Sequence, residues 1–171
     1  MKISCRTRIT FNFQLSTFNL ISFQLSIFNF QLSTFLPFSL NMKNDRITPT
    51  YITCLKPNEV FVFGSNLAGF HGGGAAHIAH AKFGAIWGQG VGMQGQSYAI
   101  PTMQGGVETI KPFVDQFIDY ARQNPIYRFY VTRIGCGIAG FTDEEIAPLF
   151  REAVDVENIC LPTEWWDILD N

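Results

Sequence analysis

Two glycine-rich segments contain backbone suited to anion chemistry. The first runs Gly64-Ser65-Asn66-Leu67-Ala68-Gly69-Phe70-His71-Gly72-Gly73-Gly74 and the second Gly135-Cys136-Gly137-Ile138-Ala139-Gly140. Amides freed of Cβ crowding at the positive end of a helix dipole form a cradle for phosphate or diphosphate. A single such turn carries little weight, because glycine also serves tight turns and positive φ. Two of them, each after a predicted strand and before a predicted helix, converge on one rim of a sheet and point to a nucleotide-diphosphate site. Neither ends in the Lys-Ser/Thr of a triphosphatase loop, and neither has the spaced glycines and following acid of a dinucleotide fingerprint. Triphosphatase and hydride-transfer chemistry are therefore disfavoured.

The reactive side chains near these segments are few. His71, His77 and His80 are the only histidines. His71 is placed to donate to ribose hydroxyls or phosphate, or to act as a general acid/base; its alternative is a solvated loop histidine. His77 and His80 share a helical face, but no Cys or carboxylate stands nearby at metal-ligand spacing, so no metal and no cofactor is expected. Cys136, between two glycines at a helix start, is either a nucleophile of lowered pKa or a small buried side chain that lets backbones approach. Arg133 either pairs with phosphate or is a strand-end surface charge. Trp165 and Trp166 stack on a base, cap the core or make a dimer contact.

The elements that must position these residues read as alternating strands and helices. Glu59–Phe63 is a short apolar run ending at Gly64, a buried strand. Gly73–Phe83 reads as a helix opening directly out of the first glycine loop. Ser97–Ile100 is a second strand. Ile110, Phe113, Val114, Phe117, Ile118 and Ala121 recur at three-and-four spacing, predicting a helix from about Ile110 to Arg122 with Pro112 in its first turn. Tyr127–Ile134 is a third strand. Thr142 with Glu145 predicts a capping box for a helix through Phe150, and Asn158–Leu161 a last strand. The pattern implies an α/β fold with a mostly parallel sheet covered on both faces.

With these residues in view, Val60 to Ala76 resembles the ADP-ribose-binding macrodomains, as does Ile134-Gly135-Cys136-Gly137-Ile138-Ala139-Gly140-Phe141, which is similar to their diphosphate-wrapping loop. Gln94-Gly95-Gln96-Ser97-Tyr98-Ala99-Ile100-Pro101-Thr102 further suggests a divergent bacterial or phage-associated branch. The likeness covers roughly 50–165 and implies a three-layer α/β/α fold around the mostly parallel sheet. It implies that Asn66 binds the distal ribose, that Gly72, Gly73 and Gly74 line that ribose and the diphosphate, and that Gly137 to Gly140 wrap the diphosphate, with Phe141 against the adenosine half. Gly64, Ser65, Gly135, Cys136, Ile138 and Ala139 complete the expected ligand-binding set, and Asn66 with His71 are the catalytic candidates. Macrodomains hold the adenine amino group with an Asp ahead of the first loop, where this chain aligns Tyr51 within Thr50-Tyr51-Ile52-Thr53.

Composition divides the chain in two. Of its 171 residues, 17 are Phe, and eight of these lie in residues 1–41, whereas all 15 Gly fall between Gly64 and Gly140. Residues 11–18 and 28–35 both read FNFQLSTF, with a degenerate SFQLSIF at 22–28. Two and a half copies are too few for a solenoid. Asn and Gln interrupt every apolar run, which argues against a secretory signal and a membrane span. The expectation is that 1–41 is a disordered leader or read-through of a repeated upstream DNA, with translation from Met42; a peptide from 11–35 in natively expressed protein would refute read-through.

Residues 42–171 are the expected domain, with nine basic residues against fourteen acidic, a charge of −5. That balance has no basic cluster, so duplex nucleic acid is a poor partner. Cys5, Cys54, Cys136 and Cys160 show no CxxC spacing, which suggests a reducing, cytoplasmic setting. The expected function is binding of ADP-ribose or a related nucleotide diphosphate, with or without hydrolysis of an ADP-ribosyl linkage. The alternatives are a non-catalytic reader of ADP-ribosylated macromolecules and a different nucleotide-linked enzyme using Cys136 or His71.

Overall fold

A computed structural model describes residues 45–170, so the expectations for the 1–41 leader lie outside the described residues. The strands are β1 (Glu59–Ser65), β2 (Gly92–Gln94), β3 (Ser97–Pro101), β4 (Arg128–Val131) and β5 (Ile159–Cys160). The α-helices are α1 (Gly74–Lys82), α2 (Val107–Gln123), α3 (Asp143–Ile146) and α4 (Thr163–Leu169), with a 3-10 helix at Ala147–Asp155. The strands form one sheet in the order β2-β3-β1-β4-β5. β1 runs parallel to both β3 and β4, β4 is parallel to β5, and only β2 is antiparallel. The fold is thus α/β with a mixed, mostly parallel sheet.

The unbroken apolar run of β1 is explained by burial on both faces. Val60 and Val62 join a large cluster with the apolar stripe of α2 (Ile110, Val114, Phe117), Phe150 and Trp165. Phe61 and Phe63 join a smaller cluster with Ala76 and Ala79 of α1 and with Phe83. Trp165 and Trp166 are both buried, so of their three expected roles the structure places them in core packing.

Several expected boundaries shift. α2 begins at Val107, capped by the extended Gly106, so Pro112 sits inside the helix rather than in its first turn and forfeits one hydrogen-bond rung. β4 ends at Val131 because Thr132–Ile134 turns into the second glycine loop, with Ile134 N–H donating to Thr132 O at 2.7 Å. The capping box forms as expected, Thr142 Oγ1 accepting from Glu145 N–H and Glu145 from Thr142 N–H. Beyond Ile146, however, the helix tightens to 3-10 geometry.

The segment ahead of β1 is tied to the far sheet edge by one buried cation, Arg46. Arg46 donates to the carbonyls of Ile159 at 3.0 Å and of Val154, Ala153 and Val156 at 2.8 Å each. Its guanidinium also lies 5.0 Å from the Trp166 ring centroid.

Candidate functional site

Because β3, β1 and β4 are parallel neighbours, their C-terminal ends open on one edge of the sheet, the position where such folds bind ligands. Each strand delivers a loop there: Asn66 and Phe70 from β1, Thr102 and Met103 from β3, and Thr132–Gly135 with Gly137–Ala139 from β4. Together with the start of α1 they line a cleft of about 180 Å³. Gly64 makes the approach of these strand ends feasible, since a Cβ there would lie 3.2 Å from Thr102 Oγ1 and 3.3 Å from Gly135 N.

The first glycine loop is shaped by its own side chains. Asn66 Nδ2 donates to Phe70 O at 2.9 Å and its Oδ1 accepts from Phe70 N–H at 3.1 Å, so one amide clasps both ends of the Phe70 peptide. Ser65 Oγ donates to Gly90 O. α1 then starts at Gly74 with the extended Gly73 as N-cap, no capping side chain and no acid in its first turn. Its leading amides, Gly74 to Ala76, border the cleft and carry the positive end of the helix dipole. Ile138 reaches over from the second loop, its Cδ1 lying 3.1 Å from where a Cβ of Gly73 would be.

The second loop is held from outside the cleft by Asp143. Arg133 donates to this carboxylate through Nε at 3.0 Å and through a second guanidinium nitrogen. Trp165 Nε1 donates at 2.7 Å and the Cys136 thiol at 3.4 Å. The Arg133 hydrogen bond, with those from Trp165 and Cys136, holds the Asp143 carboxyl below the usual carboxylate range against the opposing effect of burial. Arg133 itself is half exposed and is among the residues lining the cleft, with its guanidinium paired to Asp143.

Of the residues expected at the site, Gly64, Ser65, Asn66, Gly73 and Gly74 line the cleft from one side, and Gly135, Gly137, Ile138 and Ala139 from the other. Gly72, Cys136, Gly140 and Phe141 do not. Phe141 packs instead against the large core cluster. Tyr51 is largely exposed and also lies outside the cleft lining.

One expectation needs correction, and one pair of alternatives is decided. His71 is neither a solvated loop residue nor a group facing the cleft. It is fully buried, with Nε2 held 3.1 Å from Ile86 O and 3.2 Å from Gln89 O, and with no partner at Nδ1. Its neighbours are two carbonyls and the rings of Phe63, His80 and Trp87, which leaves it no reach to a substrate proton. Cys136 is the partly buried small side chain, not a low-pKa nucleophile. Burial, followed by the hydrogen bond and charge of Asp143, pushes its thiol up to about 12.

The sequence reading missed Phe70, Thr102, Met103 and Thr132 as cleft residues. Thr102 follows a predicted strand and so carried a usable positional signal. Phe70, inside a glycine loop, was legible only as loop. No carboxylate is among the residues lining the cleft. Among the described residues no three His, Cys, Asp or Glu side chains gather to hold a metal ion, and no helix is long and apolar enough to cross a membrane. In comparisons with protein-family models, curated proteins and solved structures, no family model, no curated protein and no solved structure matches the chain.

Proposed function

We propose that this chain binds ADP-ribose or a related nucleotide diphosphate in the cleft between its two glycine loops, within a three-layer macrodomain-like arrangement. The observation that supports the reading best is the convergence on one cleft of the uncapped, acid-free N-terminus of α1 with the Gly135–Ala139 loop and Arg133. Backbone amides and a half-exposed guanidinium suit a diphosphate, whose charge the helix dipole also favours. Asn66 shapes the loop at one end of the cleft, where the distal ribose would lie.

Binding without turnover, as in a reader of ADP-ribosylated macromolecules, is favoured over hydrolysis by three features. The cleft presents no carboxylate to activate water, and His71 is buried elsewhere. The raised pKa of Cys136 likewise weighs against a thiolate mechanism.

Gly137→Asp tests the proposal cleanly. A Cβ at Gly137 meets nothing within 4 Å, so the variant should fold, yet its carboxylate would face the bound anion. Calorimetry should give ADP-ribose binding by the unaltered protein and at least a tenfold loss in the variant, at unchanged melting temperature. No binding to the unaltered protein at millimolar ligand refutes the reading. Release of free ADP-ribose from a modified protein would make it a hydrolase instead of a reader.

A further inference from the structure

At the Asn66 end of the cleft, two large aromatic rings stand in solvent. Phe70 is 60% exposed and Trp87 53%, and their centroids lie 5.8 Å apart with planes inclined by 34°. Phe70 belongs to the cleft lining and Trp87 does not, so the pair carries the cleft wall outward past Asn66. With the distal ribose at Asn66, the adenosine half extends the other way, and the group that reaches the pair is the substituent on the distal anomeric carbon. Free ADP-ribose has only a hydroxyl there, which leaves both exposed ring faces without a partner.

The pair is preorganised. Asn66 clasps the Phe70 peptide at both N–H and C=O. The turn carrying Trp87 is fixed by His71, whose Nε2 lies against Ile86 O and Gln89 O, and by Gln94, which accepts from Ile86 N–H at 2.6 Å and donates to Gln89 O at 2.8 Å. Gly88 N–H donates to Gly69 O at 2.9 Å, joining the two loops. Backbone fixed from both sides leaves little ordering cost when a ligand covers the rings. The stretch between Glu59 and Glu108, which carries both rings, contains no Asp or Glu. These loops therefore bring no carboxylate to repel a phosphate-bearing ligand.

We propose that the ligand carries a planar heteroaromatic ring on its distal ribose, and that Phe70 and Trp87 form the subsite for this ring. The proposal rests on the binding function put forward above and names the class of ligand. Aromatic faces favour a flat π-system, and stacking on them tolerates many ring types. A third ring between the pair would need about 7 Å, twice an ordinary carbon contact, so the ligand ring lies on their outer, exposed faces. Two sources supply this chemistry: a free dinucleotide, and a single-stranded nucleic acid ADP-ribosylated on a base. Neither glycine loop has the fingerprint of a hydride-transfer enzyme, so the ring is a group to be recognised rather than reduced.

The test uses the full chain with three ligands: ADP-ribose, oxidised nicotinamide adenine dinucleotide, and a single-stranded DNA oligonucleotide ADP-ribosylated on one base. At least one ringed ligand should bind about tenfold to a hundredfold more tightly than ADP-ribose. A gain with the dinucleotide alone identifies the free dinucleotide as the source; a gain with the strand identifies the modified base. Trp165 and Trp166 are buried, so quenching of the solvent-exposed tryptophan emission reports Trp87. The tighter ligand should quench that emission and ADP-ribose should not. Trp87→Ala should remove most of the gain and leave ADP-ribose affinity unchanged, while Trp87→Phe should retain most of it. Phe70→Ala should weaken the ringed ligand more than ADP-ribose. No gain with either ringed ligand overturns the subsite and leaves the proposed function standing, as does equal weakening of all three ligands by Trp87→Ala, since the ring would then only shape the loop. Quenching by ADP-ribose as strong as that by the ringed ligands also overturns it, because the adenine would then occupy the pair. Failure of all three ligands to bind the unaltered protein refutes the proposed function, and the subsite with it.

Discussion

Replacing Asp143 tests how the second glycine loop is held. Three groups converge on this carboxylate: the Arg133 guanidinium, the Trp165 indole N–H at 2.7 Å and the Cys136 thiol at 3.4 Å. Arg133 is half exposed, so its ion pair is worth roughly 0–1 kcal/mol. The indole N–H of the fully buried Trp165 is different, because leaving it without an acceptor costs about 1–3 kcal/mol. Asp143→Ala should therefore lose about 1–4 kcal/mol at neutral pH. Asp143→Asn, which keeps an acceptor for Trp165, should lose less.

The pH dependence has a definite sign. Arg133, Trp165 and Cys136 together lower the folded-state pKa of Asp143, so its stabilisation is fully present above the unfolded value of about 4 and is lost as pH falls through the folded value. Urea unfolding of the unaltered protein and Asp143→Ala should show a gap at neutral pH that narrows in acid. A second readout is chemical. Asp143 is one cause of the raised Cys136 pKa, so Asp143→Asn should lower that pKa and speed alkylation of Cys136 by iodoacetamide. A stability gap that is constant with pH, together with unchanged Cys136 reactivity, would refute the role assigned to this carboxylate.

Arg46→Met should cost at least about 2 kcal/mol in chemical denaturation, since four backbone carbonyls each lose one donor; an unmoved midpoint would contradict the anchoring role. Gly69→Ala forces a side chain into φ +68°, with its Cβ 2.3 Å from Gln89 N, so a loss of at least ~2 kcal/mol is expected by thermal melting. In the unaltered protein, mass-spectrometric mapping of alkylation should find exposed Cys54 modified well before Cys136, whose thiol burial and Asp143 hold protonated. Early modification of Cys136 would show that the second loop opens.

Much of the fold was legible because its signals are local. The apolar run ending at Gly64, the three-and-four spacing of α2 and the Thr142–Glu145 box each act within a few residues, and each appears in the structure near its expected place. β2 was not legible: three residues beginning with a glycine carry no alternating pattern, and only the hairpin with β3 makes them a strand. The helix expected through Phe150 is present, and its 3-10 geometry from Ala147 carries no signal in the residue types.

That two glycine loops follow strands, and hence that an anion-suited backbone exists, is written in local residue order. Which side chains attend that backbone depends on how the chain packs. His71 is held by carbonyls 15 and 18 residues away, and the raised pKa of Cys136 follows from burial and then from Asp143, which is itself fixed by a tryptophan 22 residues further on. Backbone conformation depends on near neighbours, whereas burial and charge depend on whatever the fold brings alongside. Residue type and spacing could therefore locate the cleft, but not distinguish a buried histidine from a catalytic one.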